Sequence, residues 1–228
     1  WGIEKLRAPE LWQQGIDGKG TLVAMIDSGV AITHPDLVTN IWKNPGETGI
    51  DKNGKNRETN GVDDDGNGFI DDIHGWNFED NTSDVTDLRG HGSQTAGLVG
   101  GTGAQGIQTG VAPKATLMVM RACCDLVGQA GEGGILQAMQ YAIKNGAQII
   151  SMSLSIKHYS NPMYAKWRRA SEAVLAAGVV HINSAGNRGS GNEPHNVGAP
   201  ASNPPAWYHP SQVKGDKKTY MITIGATD

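Results

Sequence analysis

The strongest constraint on this chain is an alternation of short apolar runs with helix-length stretches along almost its whole length. Residues 21–26, 115–120, 148–154, 179–184 and 220–226 are brief runs containing Ile, Val, Leu and Met. Residues 92–101, 134–145 and 162–177 lie between them. The second of these places Ile135, Met139, Ala142 and Ile143 at helical spacing, with Gly146 positioned to close the helix. Strands separated by helices of about 10–15 residues predict an α/β fold, a doubly wound and mainly parallel sheet with helices on both faces. The 228 residues are expected to form one domain, long enough to bury about 70% of the surface of its unfolded chain. The 32 glycines follow no three-residue period. They read as tight turns and close backbone approaches rather than as collagen.

Composition narrows the function classes. No apolar run approaches the roughly 18 residues of a membrane-spanning helix, so no membrane partner is expected. The opening Trp1-Gly2-Ile3-Glu4-Lys5 is not a secretory leader, although a mature chain that had lost one would begin in this way. The net charge of −4 is unevenly spread. Ten acids lie between Glu58 and Asp87 with no Lys or Arg among them, which leaves 19 basic and 13 acidic residues elsewhere. No basic stripe with interleaved aromatics is present, so nucleic acid is not an expected partner. The two cysteines, Cys123 and Cys124, are adjacent. Neighbouring Cα atoms lie closer than a disulfide prefers, so both are expected to be free thiols. Residues 42–87 and 188–218 read as long loops, a length that usually signals function.

In open parallel sheets ligands bind beyond the carboxyl ends of the strands. Asp27 follows the first apolar run, in Ala24-Met25-Ile26-Asp27-Ser28-Gly29. Asn187 follows the fourth, in Asn183-Ser184-Ala185-Gly186-Asn187, and His91 opens the helix-like stretch Gly90-His91-Gly92-Ser93-Gln94-Thr95-Ala96-Gly97. Each alone is an ordinary turn or loop residue. Together on one sheet edge, they look like the supporting parts of an acyl-transfer site.

The same segments carry a family resemblance. Asp27-Ser28-Gly29, His91-Gly92-Ser93-x-x-Ala96-Gly97 and Ala185-Gly186-Asn187 match the aspartate, histidine and oxyanion-asparagine motifs of the subtilisin-like serine peptidases, the subtilases (peptidase family S8). Ala8-Pro9-Glu10-Leu11-Trp12, Gly110-Val111-Ala112-Pro113 and Ser151-Met152-Ser153-Leu154 are further landmarks, in the family's order. The resemblance implies a secreted serine endopeptidase acting on polypeptide substrates. His91 would be general base and then general acid, with Asp27 holding its imidazole in the right tautomer. The Asn187 amide would donate to the oxyanion. Ser153, Leu154 and Ser155 would pair with the substrate backbone as an added strand. The stretch around Gly128 would form the facing wall, and Ser184, Ala185 and Gly186 would line the pocket for the residue before the cut bond. Ser93, Gln94 and Thr95 stand where Thr-His-Val is commoner in the family.

One departure is larger. The family's nucleophile lies in Gly-Thr-Ser-Met-Ala followed by proline, and none of the twelve serines here has that context. Residues 222–228 resemble the family strand that precedes it. The expectation is therefore a catalytic domain over residues 1–228 lacking the segment with the serine, and inactive alone. A companion C-terminal fragment would carry the nucleophile. The alternative is a non-catalytic, calcium-stabilised peptide-binding module or pseudoprotease.

The acid-rich run has its own signature. In Asp63-Asp64-Asp65-Gly66-Asn67-Gly68-Phe69-Ile70-Asp71-Asp72, the residues Asp63, Asp65 and Asn67 fall at positions 1, 3 and 5 of a calcium loop. Gly68 takes the turn position and the Phe69 carbonyl position 7, while His74 stands where a closing Glu would be, so Asp71 or Asp72 must close the site. An oxygen-only set favours calcium as the cofactor over zinc. Asp36 matches a family position that ligates a second calcium.

Overall fold

The computed structural model describes residues 2–123, 131–157, 162–187, 197–202 and 221–225. Two short helices, α1 (Gly2–Lys5) and α2 (Ala8–Trp12), precede strand β1 (Leu22–Asp27). There follow β2 (Gly75–Asn77), α3 (His91–Gly100), β3 (Thr116–Arg121), α4 (Glu132–Lys144), β4 (Ile149–Met152), α5 (Tyr164–Ala176), β5 (Val180–Ser184) and β6 (Met221–Ile224). The strands form one sheet in the order β2-β3-β1-β4-β5-β6, and every pairing is parallel. This is the α/β class that the alternation predicts.

β1 sits between β3 and β4 and is covered on both faces, which is why it reads as a continuous apolar run. Ala24 and Ile26 join Met118, Met120, Ile150 and Met152 in a cluster with Ile135 and Met139 of α4 and Trp167 of α5. Val23 and Met25 face the other way, with Leu117, Val119 and Ala96 of α3. Glu132 locks the two outer helices together, accepting from Met163 N at 2.8 Å and from the Trp167 indole. Gly146 and Gly178 end α4 and α5 at φ of +79° and +81°. Strand β6 is less covered. Ile222 and Ile224, on the face away from α5, are 41% and 52% exposed.

Two expectations are corrected. Strand β2 lies inside the stretch read as loop, being too short at three residues to leave a periodic signal. It reaches β3 through Gly75, where a Cβ would stand 1.8 Å from Val119 O, so no other residue fits. Cys123, just past β3, is disulfide-bonded rather than a free thiol.

Candidate active site

Asp27 ends β1 and His91 begins α3, so a strand terminus and a helix terminus meet at the carboxyl edge of the sheet. The meeting depends on two glycines. A Cβ on Gly92 would stand 2.0 Å from Gly29 O, and Gly29 holds φ +100° with its own Cβ position blocked by Val85 O. The glycines of the Asp-Ser-Gly and His-Gly segments are thus required by close approach. Gly92 N also donates to Ser28 Oγ at 2.9 Å.

His91 Nδ1 lies 2.6 Å from Asp27 Oδ1, which also accepts from Ser28 N at 2.7 Å. The Asp27 side chain is 2% exposed and that of His91 is 48% exposed. A carboxylate so placed can accept from Nδ1 as N–H, the arrangement in which the other ring nitrogen keeps its lone pair. Asp27 Oδ2 accepts from the Thr95 hydroxyl at 3.3 Å, a hydroxyl that also lies 3.0 Å from Gly92 O. Thr95 is a contact that the sequence reading treats only as a family variation.

Asn187 is exposed and lies beyond the end of β5 on the same edge, after Gly186 at φ +97°. Among the described residues no hydrogen bond ties it to Asp27 or His91. Ser153, Leu154 and Ser155 leave β4, which lies between β1 and β5. Leu154 O accepts from Asn183 Nδ2 at 3.2 Å and from Ser184 Oγ at 3.1 Å. Ala185 N donates to Ile224 O at 2.8 Å. A Cβ on Gly186 would stand 2.7 Å from Ser155 Oγ, so the expected groove wall and pocket are packed directly together. Gly128 lies outside the described residues.

The acidic run folds around a second centre. Ligand atoms of Glu47, Asp65 and Asp72 all lie within 4.8 Å of one another. Asn44 Nδ2 bonds Asp65 Oδ2 at 3.0 Å and Asp72 Oδ1 at 2.7 Å. Asn67 Nδ2 bonds the same two carboxylates at 3.1 and 2.9 Å. Tyr141 of α4 donates to Asp72 Oδ2 at 2.5 Å, and its ring meets Phe69 edge-on at 5.1 Å. Asp63 and Asp71 do other work here. Asp63 accepts from Gly66, Asn67 and Gly68 N, and Asp71 from Gly61 N. Phe69 N donates to Asn67 Oδ1.

Glu47, far upstream in Asn-Pro-Gly-Glu, carries no sequence signal that would have found it. Its side chain is fully buried. Oε1 accepts from Asp64 N at 2.8 Å, but Oε2 has no partner among the described residues. Burial, then repulsion from Asp72 and Asp65, pushes its carboxyl up, and burial pushes up Asp72. An orphaned buried carboxylate oxygen facing two more carboxylates fits a hard cation held by oxygen. Asp36 is different. Burial works to raise it, yet donors from Ala104 N at 2.8 Å and the Thr109 and Thr102 hydroxyls hold it below its ordinary value. Its oxygens are already satisfied by protein.

A doubly wound parallel sheet with a buried carboxylate and a half-exposed imidazole paired at its carboxyl edge has the architecture of a subtilisin-like peptidase domain. The chain belongs to the Subtilase family, whose model matches residues 18–228. It is 31% identical over 195 residues to the major intracellular serine protease of Bacillus subtilis, covering 84% of this chain and 50% of that protein. With subtilisin-like protease 1 of Plasmodium berghei it is 35% identical over 164 residues, 70% of this chain and 26% of that one. With thermitase of Thermoactinomyces vulgaris it is 27% identical over 238 residues, 99% of this chain and 67% of that one. The chain thus spans half or less of the length of the first two relatives. The names of these relatives are those of proteases, the Bacillus enzyme a serine protease.

Proposed function

We propose that residues 1–228 are the part of a subtilisin-like serine endopeptidase that supplies the general base and the oxyanion donor, while the serine comes from a further C-terminal segment or a companion chain. The observation that carries this reading is the 2.6 Å contact between buried Asp27 and half-exposed His91. His91 Nε2 would take the proton of the incoming serine hydroxyl as it attacks the peptide carbonyl, and would return it to the leaving amine. Asp27 would stabilise the imidazolium between those steps. Asn187 would donate to the oxyanion, a contact worth about 3–4 kcal/mol in the transition state. Ser153–Ser155 would hold the substrate backbone as an added strand, with Ser184, Ala185 and Gly186 lining the pocket. The exposed Ile222 and Ile224 support a missing packing partner on that side of the sheet.

Calcium is proposed as the structural cofactor, held by Glu47, Asp65 and Asp72. When bound it supplies positive charge that neutralises three converging carboxylates. The names of the relatives divide between intracellular and extracellular enzymes. The disulfide at Cys123 and the calcium centre support a secreted protein.

The test is a fluorophosphonate label applied to the product of the complete gene, followed by peptide mapping. Labelling of a serine outside residues 1–228, together with casein hydrolysis that His91→Ala abolishes, supports the reading. Turnover by the purified 228-residue chain alone would refute the missing nucleophile. A complete gene product with neither label nor turnover would favour the peptide-binding module.

A further inference from the structure

The pairing of Asp27 with His91 is itself held by a third carboxylate. Asp87 lies four residues before His91, in the loop that leads into α3. Its Oδ1 accepts from Ser28 Oγ, Arg89 N and Gly90 N, each at 2.9 Å. Its Oδ2 accepts from Ser93 N at 2.8 Å and Ser93 Oγ at 2.6 Å. Burial works to raise its pKa, yet these hydrogen bonds hold the carboxyl below its ordinary value. The two hydroxyls it engages flank the couple: Ser28 follows Asp27, and Ser93 lies two residues after His91.

Ser28 shows how the three are linked. A hydroxyl has one proton to give. Asp87 takes it, which turns the oxygen lone pairs of Ser28 towards Gly92 N, the donor at 2.9 Å. Ser93 repeats the arrangement, giving its proton to Asp87 and accepting from Ala31 N at 2.9 Å. Two hydroxyl relays therefore pin the start of α3 to the chain leaving β1, and both end on the same carboxylate. Gly90, the residue before α3, has no side chain to cap the helix, so Asp87 is also the group that satisfies Ser93 N in the first turn.

We propose that Asp87 is a positioning residue for the peptidase reaction, setting the separation and tautomer of the Asp27–His91 couple through Ser28 and Ser93. The proposal rests on the reading of Asp27 and His91 as a general-base couple. It differs from a helix cap in one consequence. A cap contributes to stability alone, whereas a positioning residue also determines which ring nitrogen of His91 carries the proton.

The tautomer is directly measurable in the 228-residue chain, without turnover. Long-range ¹H–¹⁵N spectra of the His91 ring, taken where the imidazole is neutral, give the ratio of Nδ1–H to Nε2–H forms. Wild type is expected to be mainly Nδ1–H, donating to Asp27. Asp87→Ala and Ser28→Ala are each expected to lower that ratio about fivefold, the weight of one ordinary hydrogen bond. Ser28→Thr, which keeps the hydroxyl, should restore it. Ser28→Ala keeps the Asp87 cap on α3, so it serves if Asp87→Ala fails to fold. Variants that lower the melting temperature but leave the tautomer ratio unchanged would reduce Asp87 to a cap and overturn the proposal. A wild-type His91 that is mainly Nε2–H would overturn both this proposal and the couple it rests on. A normal tautomer response in a protein whose complete gene product proves inactive would leave the positioning role standing while the peptidase reading fails.

Discussion

Replacing Glu47 with Gln should stabilise the metal-free protein and destabilise the calcium-loaded one. In the absence of a cation, Glu47, Asp65 and Asp72 face one another within 4.8 Å. Two unit charges at that separation repel by about 3.5 kcal/mol at an effective dielectric constant of 20, an upper figure because protonation relieves it. Gln keeps an oxygen for Asp64 N and Asp65 N, and its NH₂ occupies the place of the unpaired Oε2. Each kcal/mol regained should raise the melting temperature by about 2–4 °C in a chain of this size. With calcium the sign reverses. A ligand present at about a thousand times its dissociation constant stabilises wild type by roughly 4 kcal/mol, or about 8–16 °C, and a variant that has lost a charged ligand should keep only a fraction of that. Differential scanning fluorimetry of both proteins, in chelator and in excess calcium, gives the four melting temperatures required. If Glu47→Gln lowers the melting temperature equally in both buffers, Glu47 is merely an acceptor for two backbone N–H groups and the cation assignment fails.

Two further outcomes concern buried His181 and half-buried Thr95. Burial pushes His181 down to about 4 from its ordinary 6.5. It is packed against Met152 Sδ at 3.1 Å, and its Nδ1 has no partner among the described residues. The unfolded chain therefore binds the proton more readily between these values, so stability is intact above pH 6.5 and falls as the pH drops towards 4. The loss amounts to about 3 kcal/mol. Urea midpoints measured across that range should fall more steeply for wild type than for His181→Phe, and parallel curves would show that His181 does not carry the effect. Thr95→Val removes the hydroxyl beside Asp27 Oδ2 at nearly constant volume, and should cost about 1 kcal/mol, a drop of roughly 2–4 °C by calorimetry. An unchanged melting temperature would mean that this hydroxyl makes no net contribution.

Much of the architecture was legible because parallel strands covered on both faces leave dense apolar runs, as in Leu22–Asp27 and Thr116–Arg121. The Asp27–His91 couple was legible for a related reason. The residues that close it are glycines and small side chains in short, recognisable segments, and backbone contact between Gly29 and Gly92 enforces them. Glu47 was not legible, because its part depends on a turn brought against Asp65 and Asp72 by tertiary folding. Asp87 escaped for the opposite reason. It is local to His91, but an Asp four residues before a helix looks like any loop acid until Ser28 is placed beside it. Strand β2 is three residues whose pairing is set by one glycine, and no periodicity survives at that length.

The strand order also has a consequence for how the molecule is made. The partners of β1 lie far along the chain, since Leu22 pairs with Thr116 and Val23 with Ile149. A ribosome adding about 5–20 residues per second needs roughly 5–20 s to deliver the first of those partners after β1 has emerged. Throughout that interval a strand whose residues 23–27 are all buried in the folded protein has nothing to pair with, and closing so long a loop is slow even once its partner exists. The arrangement that places Asp27 in the middle of a rigid sheet thus leaves its strand exposed longest during synthesis.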